Sequence, residues 1–87
     1  MIIYNITVKI DHDVHDEWLK WMKEVHIPEV MATKKFTANN MYRILFDVDG
    51  GVSYSIQYSC KDIETLQNYQ IEYAPALQKA HLEKLQK

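Results

Sequence analysis

The sequence predicts an α+β fold, an antiparallel sheet with helices on one face in the element order βαββα. Three observations predict it. Apolar and polar residues alternate at the start of the chain and twice more in its middle; the two longer segments that follow carry apolar residues three and four apart; and each of those is broken by a proline, in His26-Ile27-Pro28 and in Tyr73-Ala74-Pro75. Periods of two and of about 3.6 residues are the signatures of half-buried strands and of amphipathic helices.

The first strand runs from Ile2 to Ile10, with Ile2, Tyr4, Ile6, Val8 and Ile10 on one face and Asn5, Thr7 and Lys9 on the other. Asp11 or Asp13 then caps a helix whose start is favoured by Asp16 and Glu17, since acidic groups suit the positive end of the helix dipole. Val14, Trp18, Trp21, Met22 and Val25 form its core-facing stripe. Pro28 has no N–H for the carbonyl of Glu24, and its ring presses Ile27 out of helical geometry. A continuous helix costs about 3 kcal/mol or more at such a proline, so two helices are expected, the second beginning at Pro28.

A second strand is expected from Met41 to Val48 and a third from Val52 to Cys60, joined by Asp49, Gly50 and Gly51. Keeping Val48 on the face of Val52 makes this a three-residue loop, with Gly51 in the left-handed conformation. That register pairs Phe46 with Tyr54, Ile44 with Ile56 and Tyr42 with Tyr58, and it sets Arg43 opposite Gln57 at the margin of the polar face. The last segment, from Asp62 onward, is helical with a break at Pro75; Ile63, Leu66, Tyr69 and Tyr73 form one stripe, and Leu77, His81 and Leu85 follow four apart. This order is the split βαβ, or ferredoxin-like, plan without its fourth strand. The first strand is thereby left as a bare edge, which proteins usually cover.

Eighty-seven residues with 47% hydrophobic and 25% charged residues make one domain of residues 1–87, at a size where oligomerisation often completes the core. The net charge of -2, with basic residues scattered, excludes the basic stripe that nucleic acid requires. The alternating N-terminus reads as a strand rather than a signal peptide, no membrane segment is indicated, and the single Cys60 suits a reducing cytoplasm. His12 and His15 stand beside Asp11, Asp13 and Asp16, an arrangement that helix capping explains, so no metal is expected. With Gly50 and Gly51 the only glycines, no phosphate loop exists and no cofactor is expected.

His26 has two readings. At a helix end it can donate to carbonyls that the proline leaves free, or serve as an acid, a base or an anion contact. Buried strand tyrosines need partners for their hydroxyls, which points to a pocket between helices and sheet lined by Tyr hydroxyls, His26 and Trp18. The candidate ligand-binding residues are Trp18, His26, Arg43 and Tyr58, with His26 the candidate catalytic group. The polar sheet face, with Asn5, Thr7, Ser53, Ser55, Gln57 and Ser59, is too lightly charged for a fully solvated one and suits packing against a second copy.

The stretches MIIYNITVKID, HDEWLKWMKEVHIPEVMAT and EYAPALQKAH resemble a family of short bacterial proteins common in Bacteroidetes, domain of unknown function 4286, over nearly the whole chain. The resemblance implies a ferredoxin-like protein of the dimeric α+β barrel type, with two sheets face to face and helices outside, and a fourth strand that this chain lacks. It implies no activity. The expected function is a homodimeric module that binds a small molecule or a protein partner without catalysis. The alternative is a cofactor-free isomerase or monooxygenase with His26 as acid or base and Tyr58 or Arg43 orienting the substrate.

Overall fold

A computed structural model describes residues 1–45 and 50–85. Strand β1 (Ile2–Asp11) leads into helix α1 (His12–Trp21), a π-helical turn (Met22–His26) and helix α2 (Ile27–Ala32); β2 (Ala38–Ile44), β3 (Gly51–Cys60), α3 (Ile63–Glu72) and α4 (Ala74–Leu85) follow. The sheet is three-stranded with order β1-β3-β2, and both neighbours run antiparallel to β3. This α+β arrangement is compatible with a ferredoxin-like fold. Among the described residues β1 pairs on one side only.

The alternation in β1 and β3 does what the sequence predicts. Ile10, Val52, Tyr54, Ile56, Tyr58 and Cys60 are buried on the inner face, where they meet Trp18, Met22, Val30, Leu66 and Tyr69 from the helices. Tyr4 pairs with Tyr58, Ile6 with Ile56 and Val8 with Tyr54, so one set of side chains floors the core.

The register of β2 differs from the expected one. Met41 opposes Ile56, Tyr42 opposes Ser55, Arg43 opposes Tyr54 and Ile44 opposes Ser53. The expected pairs Tyr42–Tyr58 and Ile44–Ile56, and the placement of Arg43 opposite Gln57, are therefore displaced by three residues. An odd displacement reverses the faces. Met41 goes to the core, while Tyr42, 51% exposed, joins the outer face. The strand also starts earlier, at Ala38, and ends at Ile44. The expected pairings of Phe46 and Val48, and the place of Asp49 in the loop, lie outside the described residues. The left-handed glycine is Gly50, at φ 77, not Gly51. Gly51 is extended in β3 and needs its small size for another reason: a Cβ there would lie 2.8 Å from Lys9 Cε and 3.1 Å from the Ile10 carbonyl oxygen.

The first helical segment divides into two α-helices as expected, with Pro28 in the first turn of α2, but the chain between them does not leave helical geometry. Ile27 keeps helical angles, φ -61 and ψ -44, and its N–H donates to the carbonyl of Met22, five residues back. The wide turn absorbs the proline without a break, as π-bulges do. It also shifts the stripe. Trp18 and Met22 are buried as expected, but Val25 is 38% exposed, and His26, four residues past Met22, takes the inward position, with Val30 four further on. Asp11 occupies the N-cap of α1 without a side-chain cap bond, whereas Asp62 caps α3 by accepting from the Thr65 N–H at 2.8 Å and from its hydroxyl at 2.7 Å. Those bonds hold the Asp62 carboxyl below its usual pKa. The second helical segment breaks at Tyr73, φ -121 and ψ -36, directly before Ala74-Pro75.

Candidate functional site

Between the helices and the inner sheet face lies a cavity of about 280 Å³. The periodicity of each element explains which residues reach it. Alternation along β1 brings Tyr4, Ile6 and Val8 to the wall, and alternation along β3 brings Ile56 and Tyr58. Four-residue spacing through the π turn supplies Met22, His26 and Val30. Tyr69 comes from α3, and Leu77, Gln78, His81 and Leu82 from neighbouring rows of α4. Leu82, 60% exposed, stands at the open side.

Part of the cavity wall is phenolic. Tyr4 and Tyr69 meet edge to face with centroids 5.9 Å apart, Tyr4 and Tyr58 lie 6.4 Å apart, and Phe36 packs behind all three. None of the three hydroxyls has a hydrogen-bond partner among the described residues, in contrast to Tyr54, whose hydroxyl lies 2.6 Å from His15 Nε2. Burial, and then the neighbouring Tyr69 and Tyr4, push the Tyr58 phenol above its ordinary pKa. Tyr69 is raised to about 12, by burial and then by Tyr4.

The wall also holds two histidines. His26 is 8% exposed, stacks on Trp21 with centroids 4.8 Å apart and lies 5.5 Å from the His81 ring. Its Nδ1 is enclosed with no hydrogen-bond partner among the described residues. Burial, and then the proximity of His81, lower its pKa from 6.5 to about 4. His81 is lowered as well, by burial. The indole Nε1 of Trp18 donates to His81 Nε2 at 3.0 Å. An indole is a donor only, so this contact fixes Nε2 as the acceptor and leaves the proton of neutral His81 on Nδ1.

Of the residues singled out from the sequence, His26 and Tyr58 therefore lie on the cavity wall. Trp18, fully buried, stands behind the wall and holds His81. Arg43 is exposed on β2 opposite Tyr54 and does not line the cavity. His81 and Tyr69 were visible in the sequence only as members of helical stripes; nothing in the spacing pairs His81 with Trp18, 63 positions away. Among the described residues no group of three or more His, Cys, Asp or Glu is arranged to hold a metal ion, and no helix is long and apolar enough to cross a membrane.

Fold and site together define a small α+β chain with an aromatic-walled cavity open on one side and a sheet face that no described helix covers. Over residues 1–87 the chain matches the family described as Domain of unknown function (DUF4286), and it belongs to that family. No match is found among curated proteins or among solved structures.

Proposed function

We propose that this chain is a small-molecule-binding module of the bacterial cytoplasm that works without catalysis, as a homodimer of the dimeric α+β barrel type. The observation that carries the reading is the cavity itself, whose wall brings His26 and His81 together with Tyr4, Tyr58 and Tyr69, none of whose hydroxyls has a hydrogen-bond partner among the described residues. A bound molecule or ordered water can take up the hydrogen bonds of those hydroxyls, and a core built only for packing would carry phenylalanine there instead. His26 and Tyr58 are the ligand contacts in this reading, and Trp18 fixes the back wall through His81.

The rival, a cofactor-free isomerase or monooxygenase with His26 as acid or base, is weakened by the same histidine. With a pKa of about 4, only about one molecule in a thousand carries the imidazole proton at pH 7, and the neutral ring is a weak base.

The dimer is supported by the outer sheet face. Its cross-strand rows are Ile3, Ser59 and Ala38; Asn5, Gln57 and Asn40; Thr7, Ser55 and Tyr42; and Lys9, Ser53 and Ile44. Lys9 is the single charge in these four rows, Asp11 follows on the same face at the end of β1, and Ile3 and Tyr42 are about half exposed. A second copy of the same face matches this composition better than water does. Native mass spectrometry of the purified protein tests both halves of the reading. A dimer retaining a defined extra mass is expected; a monomer would remove the dimer, and a ligand-free species that no small molecule stabilises would remove the binding role. Ser55→Arg puts a charge at the centre of the face and is expected to convert the dimer to a folded monomer, read by sedimentation.

A further inference from the structure

The cavity carries chemistry enough to narrow what it holds. We infer that it takes an uncharged, flat molecule of fused-ring size whose polar atoms are hydrogen-bond acceptors, such as ring carbonyls, received by the phenols and the histidine pair of its wall. This inference rests on the small-molecule reading above and specifies the class of ligand.

Charge is the first argument. Among the described residues no Lys, Arg, Asp or Glu lines the wall. A carboxylate, phosphate or ammonium entering such a site loses its hydration without gaining an opposite charge, which is strongly unfavourable. His26 does not supply a positive charge at neutral pH, because burial and His81 keep it unprotonated.

Hydrogen-bond direction is the second. Tyr58 and Tyr69 keep their phenolic protons, being raised by burial, and each hydroxyl can donate. His81 already accepts from Trp18 through Nε2, so its remaining nitrogen is a donor. The Gln78 carboxamide adds two donors and one acceptor, and neutral His26 adds one of each. N–H and O–H donors still outnumber the nitrogen and carbonyl acceptors of the wall, so the complementary ligand presents acceptors. Size and shape supply the third argument. A cavity of about 150 Å³ takes one benzene ring, so about 280 Å³ suits two fused rings. Tyr4, Tyr58, Tyr69 and His26 provide ring faces and edges against which a flat molecule packs.

The test uses three bicyclic probes on the intact protein, followed by amide shifts in nuclear magnetic resonance: coumarin, which is neutral with a ring carbonyl; coumarin-3-carboxylate, which adds a charge; and indene, which has no acceptor. Coumarin is expected to bind saturably, shifting residues around His26, Tyr58 and His81, with affinity at least about tenfold above either comparison compound. Tyr58→Phe and Tyr69→Phe, which keep the rings, are each expected to weaken coumarin about three- to tenfold and to leave indene unchanged. If the carboxylate or indene binds as well as coumarin at this site, the ligand class is overturned and the small-molecule reading stands. If the folded protein binds none of the three, both are overturned. Binding of coumarin that is indifferent to both Tyr→Phe variants would overturn the role given to the phenols.

Discussion

Pro28 and Pro75 occupy matching places in the two helical segments, each two residues after an aromatic or imidazole side chain, and the chain treats them differently. At Pro28 the helix continues through a wide turn, and the bond from the Ile27 N–H to Met22 bridges the place where a regular ladder would fail. At Pro75 the chain leaves helical geometry at Tyr73 and restarts, with the Tyr73 N–H closing α3 on Tyr69 at 2.9 Å and the Leu77 N–H opening the next turn on Tyr73 at 3.2 Å. The break lets α4 return over α1, where His81 meets Trp18 and Lys84 meets Glu17. The bulge keeps one axis and turns a histidine inward. One segment thus delivers a histidine whose Nδ1 has no hydrogen-bond partner among the described residues and the other a histidine bonded to Trp18, and proline alone decides neither outcome.

That contrast can be broken or sharpened by experiment. The largest effect is expected from pH. Because His26 falls from 6.5 to about 4 on folding, the unfolded chain binds that proton more tightly, so stability is full above about pH 6.5 and declines as pH drops toward 4. The loss from this group is up to about 3 kcal/mol, and His81, lowered in the same direction, steepens it. Urea unfolding at a series of pH values reads it, and a flat profile across this window would show that neither histidine is held neutral by the fold.

The paired substitutions come next. His81→Phe leaves the buried Trp18 N–H without its acceptor and is expected to destabilise by about 1–3 kcal/mol at pH 7. His26→Phe removes an unpartnered nitrogen and keeps a ring against Trp21, so no loss, or a gain of about 1 kcal/mol, is expected. Equal losses for the two variants would erase the distinction between the segments. His26→Phe should also flatten the acid slope. The smallest effect belongs to the outer contact of α4: Lys84→Ala removes the 3.0 Å pair with Glu17 at the surface, where less than about 1 kcal/mol is expected in thermal unfolding at low salt.

The parts of the fold that follow from local pattern were legible. Strict alternation marks β1 and β3, and the Tyr-Ala-Pro break divides α3 from α4. The register of β2 was not, because apolar residues fall on both of its faces: Met41 on one, Tyr42 and Ile44 on the other. With an outer face able to hold Tyr42, alternation no longer selects a side, and Asn39 and Asn40 disguise the true start of the strand. The inward turn of His26 was equally hidden. A 3.6-residue count places Val25 on the core stripe, and only the extra residue in the wide turn exchanges the two. The cavity itself depends on long-range pairing, Tyr4 with Tyr69 and Trp18 with His81, which no spacing along the chain encodes.

The wide turn also bears on how such a wall arises by mutation. Each residue in a helix advances the chain by about 100° around the axis, so adding or removing one residue in Met22–His26 rotates everything beyond it by more than a quarter turn. A point substitution changes what stands on the cavity wall, but a single-codon insertion or deletion changes which part of the chain stands there. In this chain the presence of an imidazole in the core is a property of segment length before it is a property of residue identity.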